Sequence, residues 1–283
     1  MDATTRLNIL HYVKSRTSPG TSRLLKKFCC LKPRITGSLE ISSESTQGAG
    51  RDYARLALTC LRREQVISLF AEAGHARAAV EPYMFDNHKD HCFGMGIADY
   101  DATRDERRMK LYNYYHLSLQ KVPWRAHIRK VCHKAGISLP QIEKDLLYFK
   151  KARMSAVDLY DSGKVELKVY FGPFLSRDIT GKFKGLFKKR TVLRYKELLS
   201  TGHLPDLVLF CARYGTHGRS IRTDFWNGRE RPLAILEALD TQGEGLRLYH
   251  DLAAITSALR LTFTCVDMDQ RPRTQFYFEI IDF

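Results

Sequence analysis

A short unit recurs five times along this chain of 283 residues, and it constrains the fold more than any other feature. Each unit is a pair of alternating apolar and polar segments joined by a short connection, which is typical of a β-hairpin, and helical patterning follows it. The second segments centre near residues 55, 111, 168, 222 and 277, a period of about 55 residues. The pairs span residues 37–43 with 51–59, 91–99 with 107–116, 154–160 with 165–171, 206–214 with 219–226, and 261–267 with 273–281.

Five hairpins supply ten antiparallel strands, and closing such a sheet removes its exposed edges. We therefore expect an α+β fold, a closed ten-stranded antiparallel β-barrel ringed by helices. A single domain is expected over residues 1–283, in which residues 1–36 form a helical and basic lead-in. An open antiparallel sheet with one face in water also explains the alternation, but it does not explain five helix-covered repeats. The predicted helices span residues 61–73, 124–135, 141–151, 192–200, 233–239 and 246–259.

The parity of the strands predicts which side chains face the interior of the barrel. Around residue 111, Met109 and Leu111 alternate with Lys110, Tyr112 and Tyr114. Because the surrounding helices must cover an apolar face, the apolar set is expected to point outward and the polar set inward. Ten strands enclose more space than the eight whose side chains nearly fill a barrel, so a ligand chamber is predicted.

Cations and phenols share the inward face of the second strands. A single cation of this kind is usually a solvated surface charge, whereas five in register around a closed sheet point to a bound anion. Arginine, lysine and phenol hydroxyls suit a dense anion such as diphosphate. The inward cations are Arg55, Lys110, Lys168, Arg222 and Arg273, and the inward tyrosines are Tyr112, Tyr114, Tyr170 and Tyr277.

The first strand carries an acid on the inward face. Glu40 alternates with Leu39 and Ile41 and shares its face with Ser38 and Ser42. Glutamate is depleted in strand interiors, so an inward Glu40 needs a reason. Two explanations remain open: Glu40 forms an ion pair with an arginine of the lumen, or it serves as a general base opposite the anion site.

Charge and cysteine usage limit the class of protein. The net charge of +15 allows an RNA-binding module, but its basic runs are spaced like the wet faces of helices. Seven scattered cysteines, no apolar run long enough for a bilayer and no secretion signal favour a cytoplasmic protein without a membrane partner. A monomer is expected. No metal site is predicted, because no second cluster completes the spacing of His88, His91 and Cys92.

Five short motifs, spread over nearly the whole chain, resemble a known family in order and spacing. They are Ser38-Leu39-Glu40, Gly96-Ile97-Ala98-Asp99, Met109-Lys110-Leu111, the strand 165–170 that ends in Tyr170, and Phe276-Tyr277-Phe278. Together they resemble the ABBA prenyltransferases, whose fold is the PT barrel, and within them the cyanobactin prenyltransferases. Three positions depart from the family pattern. Tyr112 stands where an arginine is usual, Lys168 stands where an acid is usual, and the arginine of the last strand corresponds to Arg273 or is replaced by Gln275.

The resemblance implies an enzyme that transfers a prenyl group of five to fifteen carbons from its diphosphate, the co-substrate. The acceptor is expected to be a side chain of a ribosomally made, cyclic peptide, with free aromatic small molecules as the alternative. Glu40 is expected to be catalytic, and Tyr112, Tyr114 and Cys211 to line the prenyl pocket, where the small Cys211 favours geranyl or longer chains. A requirement for Mg²⁺ does not follow from the sequence. The expected diphosphate ligands are Arg55, Lys110, Lys168, Tyr170, Arg222, Arg273 and Tyr277.

Overall fold

The computed structural model describes residues 2–15, 26, 39–46, 55–86, 92–98, 108–118, 122–215, 218–227, 232–240, 243–267 and 273–281. For strand residues 42–46, 55, 56, 98 and 273 only the backbone is described. The strands are β1 (Leu39–Thr46), β2 (Arg55–Leu61), β3 (Phe93–Ala98), β4 (Arg108–Tyr114), β5 (Ala152–Tyr160), β6 (Val165–Leu175), β7 (Leu207–Gly215), β8 (Gly218–Trp226), β9 (Leu259–Asp267) and β10 (Arg273–Ile280).

The ten strands close into one antiparallel barrel in the order β1-β10-β9-β8-β7-β6-β5-β4-β3-β2. The first and last strands meet, since Leu39 pairs with Leu58 of β2 on one side and with Ile280 of β10 on the other. Every predicted hairpin is present, and each is a pair of neighbouring strands in the barrel. The closed ten-stranded architecture expected from the repeat is therefore confirmed.

Helices surround the sheet. They are α1 (Ala3–Ser15), α2 (Arg63–Glu72), α3 (Arg77–Val80), α4 (Trp124–Ala135), α5 (Leu139–Phe149), α6 (Lys189–Ser200), α7 (Pro232–Leu239) and α8 (Glu244–Ile255). Short 3₁₀ turns lie at Glu81–Tyr83, Tyr115–Leu117, Ser176–Ile179 and Lys184–Leu186. Among the described residues, none of these helices combines the length and the apolar character that crossing a membrane requires.

The hydrophobic core lies between the barrel and the helices, as the strand parity predicts. Phe171 of β6 and Phe210 of β7 are fully buried on the outer face. The ring of Phe149 on α5 stacks on Phe171 with 4.4 Å between centroids, and Phe183 packs 4.8 Å from Phe210. Burying this apolar face under helices leaves the alternate, polar positions of the same strands to line the interior.

The two ends of the barrel differ. The strand ends that form each hairpin lie at one end of the barrel, where the tight turn between β5 and β6 brings the amide of Tyr160 3.0 Å from the carbonyl of Lys164. The helices connect successive hairpins at the opposite end, where β2, β4, β6, β8 and β10 finish. The opening of the lumen described below lies at this second end.

Five of the six predicted helices have bounds other than those expected, and two of them end earlier for a visible backbone reason. The helix predicted over residues 141–151 is α5, which ends at Phe149 because Lys150 adopts a left-handed conformation with φ of 58°. The helix predicted over residues 246–259 is α8, which ends at Ile255 because Thr256 is extended and leads into β9. Of the lead-in over residues 1–36, the structure describes α1, whose Tyr12 hydroxyl donates to Asp251 of α8 at 2.9 Å.

Candidate active site

A cavity of about 230 Å³ opens at the end of the barrel opposite the hairpin connections. Every strand except β3 contributes to its wall, so the closure of the sheet creates it. Its lining combines acids, phenols, a partly buried arginine and an aromatic rim. The lining residues are Glu40, Thr59, Cys60, Tyr112, Tyr114, His116, Leu117, Arg153, Met154, Tyr170, Leu209, Arg222, Asp224, Trp226, Thr262, Phe263, Cys265, Tyr277 and Glu279.

Glu40 lies in this wall, held by its neighbours on β1. Leu39 and Ile41 are buried on the outer face of the strand, so the side chain between them points inward. Burial raises the pKa of Glu40 from 4.5 to about 7, and the nearby Glu279 carboxylate raises it further while Lys110 opposes the change. A carboxyl with a pKa near neutrality can both accept and release a proton at physiological pH.

Tyr112 and Tyr114 of β4 form a stacked pair beside Glu40. Their rings lie 5.8 Å apart at an angle of 12°, and the ammonium of Lys110 lies 5.4 Å from the Tyr112 ring. Burial raises the pKa of both phenols well above 10, so both are neutral hydrogen-bond donors. Gly94 of β3 makes room for this pair, because a Cβ there would lie 2.9 Å from the Tyr114 ring.

A cluster of cations centred on Asp158 lies deeper in the lumen, towards the hairpin connections. Lys168 Nζ donates to Asp158 Oδ2 at 2.7 Å, Arg108 Nη1 donates to the same oxygen at 3.1 Å, and Lys110 Nζ lies 3.8 Å from Oδ1. Asp158 is inaccessible to solvent, and the three cations expose 3% to 6% of their surface. Three buried positive charges thus converge on one carboxylate.

Burial and the proximity of these cations to one another change the pKa values of the side chains in the cluster. Burial lowers the pKa of Lys168 well below 10.5, and repulsion from Lys110 and Arg108 adds to this effect, while Asp158 opposes it. The pKa of Asp158 is well below 3.8, because its three cationic partners outweigh its burial. Such a site favours an additional anion, which would restore the charge balance of the buried lysines.

Arg222 of β8 is a partly buried cation in the wall of the cavity itself. Its Nη2 donates to Asp224 Oδ2 at 3.1 Å, and its Nη1 donates to Gln275 Oε1 at 3.5 Å. The hydroxyl of Tyr277 donates to the same Gln275 oxygen at 2.8 Å. Although burial opposes the charged form, the Asp224 carboxylate raises the pKa of Arg222 above its usual value, which keeps this guanidinium charged.

Cys211 shares the inward face of β7 but does not line the cavity. It pairs with Tyr170 on β6 and with Arg222 on β8, and it is 2% exposed. Leu209, two residues earlier on the same face of the strand, does line the cavity. The residue on β7 that contacts the open space is therefore Leu209, with Cys211 packed one layer deeper.

The rim of the cavity is aromatic. The Arg153 guanidinium lies 4.3 Å from the centre of the Trp226 ring, which stacks on Phe263 at 6.3 Å and 26°. His116 Nδ1 donates to the backbone carbonyl of Arg153 at 3.1 Å, and burial together with the Arg153 charge lowers the pKa of His116 to about 4. The rim thus offers a neutral imidazole, a flat aromatic surface and one cation.

The predicted site residues fall into three groups. Glu40, Tyr112, Tyr114, Tyr170, Arg222 and Tyr277 line the cavity, whereas Lys110 and Lys168 lie deeper, in the Asp158 cluster. The side chains of Arg55 and Arg273 lie outside the described part of the chain, although the register places Arg55 beside Ser42 and Arg273 beside Thr46.

Sequence reasoning missed the partners of these residues, which are Arg108, Asp158, Asp224, Gln275 and Glu279. Arg108 and Asp158 have the parity of inward residues on β4 and β5, so the alternation that selected Lys110 could have selected them too. Within the described residues, no group of three or more histidine, cysteine or acidic side chains is arranged to hold a metal ion. His88 and His91 lie outside those residues, and Cys92 is buried.

No protein-family model matches this chain, and no curated protein sequence matches it. Several solved structures, in contrast, match this chain in fold. The apo form of prenyltransferase PriB is 13% identical with a TM-score of 0.62, covering 99% of this chain and 95% of its own. The 5-dimethylallyl tryptophan synthase from Streptomyces coelicolor, in complex with DMASPP and Trp, is 12% identical with a TM-score of 0.61, covering 96% and 92%.

A third similar structure, 6-dimethylallyltryptophan synthase from Micromonospora olivasterospora with DMASPP and Trp, is 11% identical with a TM-score of 0.58, covering 87% and 82%. The chain has the fold of the ABBA prenyltransferases. In this ABBA barrel the aromatic and basic strand residues face an enclosed lumen, whereas the RNA-binding alternative requires an open sheet that exposes them. The closer resemblance to cyanobactin prenyltransferases stays a prediction.

Proposed function

We propose that this protein is a prenyltransferase that joins the isoprenoid group of a prenyl diphosphate to a nucleophilic acceptor. One observation carries the proposal: a carboxyl with a pKa near 7 and three buried cations that converge on one carboxylate share one barrel lumen. The cations suit the leaving diphosphate, and the carboxyl suits the proton that the acceptor loses. The likeness of the fold to prenyltransferases supports this assignment.

The donor's diphosphate is proposed to lie between the Asp158 cluster and Arg222. Lys110, Lys168 and Arg222 would contact its oxygens, and the neutral phenols of Tyr170 and Tyr277 would donate hydrogen bonds to them. As the bond between the allylic carbon and oxygen breaks, the electron pair stays on the diphosphate. Charged hydrogen bonds strengthen as this negative charge grows, which lowers the barrier to ionisation.

The prenyl group is proposed to lie against the Tyr112 and Tyr114 pair. The faces of aromatic rings attract a cation, so the stacked phenols would stabilise the allylic cation and keep water from it. The acceptor nucleophile then forms the new bond to the allylic carbon. Glu40, in the wall of the same cavity, accepts the proton that the acceptor loses, and the products are the prenylated acceptor and diphosphate.

The acceptor is proposed to enter over the aromatic rim, because the cavity of about 230 Å³ is small for a donor and an entire acceptor together. A peptide could present one side chain from the rim, which is the acceptor expected from the sequence. The stacked Trp226 and Phe263 equally suit a free aromatic ring, and two of the similar structures are complexes with Trp. A small aromatic amino acid is therefore the second candidate.

Mass spectrometry of acceptors incubated with the protein and C5, C10 or C15 prenyl diphosphates tests the function. The acceptors are linear and cyclic peptides and free tryptophan, each with and without added Mg²⁺. A mass increase of one prenyl group, formed much more slowly by Glu40→Gln, is the expected result. Release of diphosphate without any prenylated acceptor, from every acceptor tried, would contradict the proposal.

A further inference from the structure

The register between the first and last strands places a second acid directly opposite Glu40. Glu40 of β1 and Glu279 of β10 are Cα partners, and both line the cavity. Side chains directly opposite on neighbouring antiparallel strands have Cβ atoms roughly 4.5–5.5 Å apart. Like charges in this arrangement are destabilising, so an acid pair inside a barrel calls for an explanation.

On the side of Glu40 that faces β2 and β3, its cross-strand neighbours are uncharged. Its partner on β2 is Ala57, and the partner of Ala57 on β3 is Gly96. The nearest described acid to Glu40 along the wall is therefore the Glu279 carboxylate, reached without an intervening strand. The cross-strand partner of Glu279 on its other side is Arg260 of β9, which is exposed. Further titratable groups that act on Glu40 or Glu279 from the packed strands are Cys60, Lys110, Tyr112, Tyr114, Arg222 and Asp224.

The effects of these groups on Glu40 can be ordered. Burial raises its pKa most and Glu279 is the next contributor, whereas Lys110 and Arg222 lower it and Asp224 raises it. When two carboxyls share a site, one of them holds its proton to a higher pH than an isolated carboxyl would. Lys110 is the cation that lowers the pKa of Glu40 most, and its Nζ also lies 3.8 Å from Asp158 Oδ1.

We propose that Glu279 is a positioning residue that acts through Glu40: its carboxylate sets the pH range in which Glu40 accepts the proton released by the acceptor. The inference rests on the proposed function. The reaction itself is unchanged, since the proton passes from the acceptor to Glu40 and the diphosphate leaves with the electron pair of the broken bond. Glu279 makes Glu40 a stronger base once Glu40 is ionised, and it delays that ionisation to near-neutral pH.

The test is the pH dependence of kcat at saturating donor and acceptor, for the wild type, Glu279→Gln and Glu279→Asp. In the wild type, kcat is expected to rise with an apparent pKa near 7. In Glu279→Gln this rise should move to lower pH, so that kcat at pH 6, relative to its own plateau, increases by up to about tenfold. Glu279→Asp keeps the charge and should retain the wild-type profile.

A control variant distinguishes the effect of the charge beside Glu40 from the effect of removing a negative charge elsewhere in the protein. Glu244→Gln removes an acid of α8 that pairs with Arg247, outside the cavity, and should leave the profile unchanged. If Glu279 is only structural, Glu279→Gln would lower kcat equally at every pH without moving the rise, and the inference would be overturned. If instead Glu40→Gln keeps full kcat, the proposed role of Glu40 fails. If kcat of the wild type rises with pH and Glu279→Gln does not shift that rise, the inference is overturned but the proposed function is not.

Discussion

Lys168 Nζ donates to Asp158 Oδ2 at 2.7 Å, in a cluster where two further buried cations approach the same carboxylate. Among the described side chains, Asp158 is the acid that these three cations share, and their convergence is the main structural argument for proposing a bound anion in this lumen. Because charges are costly to bury without a counter-charge, this arrangement is best stabilised when a diphosphate joins it.

Replacing Lys168 by Met should weaken donor binding and slow ionisation. A hydrogen bond to a charged group contributes about 1.5–3 kcal/mol, which corresponds to roughly 10- to 150-fold in affinity. Calorimetric titration with inorganic pyrophosphate measures the loss, with Lys189→Met on the exposed start of α6 as the matched control. Unchanged affinity and unchanged turnover in Lys168→Met and in Lys110→Met would show that the cluster does not bind the donor.

Anion binding should be accompanied by proton uptake at Lys168. Its pKa is lowered in the free protein, chiefly by burial, and a nearby diphosphate would raise it, so affinity should fall as the pH rises from the pKa of the free protein to that of the complex. Titrations with pyrophosphate at pH 8, in buffers of different ionisation enthalpy, give the number of protons exchanged. The wild type should take up more protons than Lys168→Met, and equal values would contradict the assignment.

Glu40→Gln should cut turnover by roughly 10²- to 10⁴-fold, the usual contribution of general-base catalysis, while leaving pyrophosphate binding nearly unchanged. The same variant should be more thermostable than the wild type at pH 8 but not at pH 4.5. A carboxyl whose pKa is raised to about 7 stabilises the fold below pH 4.5, and this contribution is lost as the pH rises through 7. Unfolding of the variant would favour a structural ion pair.

The choice of donor should depend on the side chains of β7. Leu209→Phe fills open space, and Cys211→Phe, one layer deeper, should push Tyr170 towards it. Both should lower kcat/KM for the C10 donor relative to the C5 donor, since each buried methylene contributes about 0.8 kcal/mol. Exclusive use of the C5 donor by the wild type would show that the preference for geranyl or longer chains is wrong.

Trp226→Ala should weaken acceptor binding without affecting the donor. The centre of the Trp226 ring lies 4.3 Å from the Arg153 guanidinium, and the ring stacks on Phe263. Its loss therefore removes the flat surface of the rim. A cation–π contact of about 0.5–2 kcal/mol corresponds to an increase of roughly 2- to 30-fold in the acceptor KM. An increase in the donor KM instead would place the donor, and not the acceptor, at the rim.

Strand alternation alone determined the faces of the barrel. Because side chains alternate strictly along a strand and helices must cover an apolar face, the inward placement of Glu40, Lys110, Tyr112 and Arg222 could be predicted residue by residue. The repeat of about 55 residues predicted all ten strands for the same reason, since each hairpin and its helices form one local unit.

Only the tertiary structure decided which inward residues meet. Glu40 and Glu279 are far apart in sequence and become neighbours because β1 pairs with β10 when the sheet closes. Alternation gives the face of a residue but not its height in the barrel, which depends on the stagger of the strands. That stagger brings Arg108, Lys110 and Lys168 onto Asp158, and it places Leu209 in the cavity wall with Cys211 beneath it.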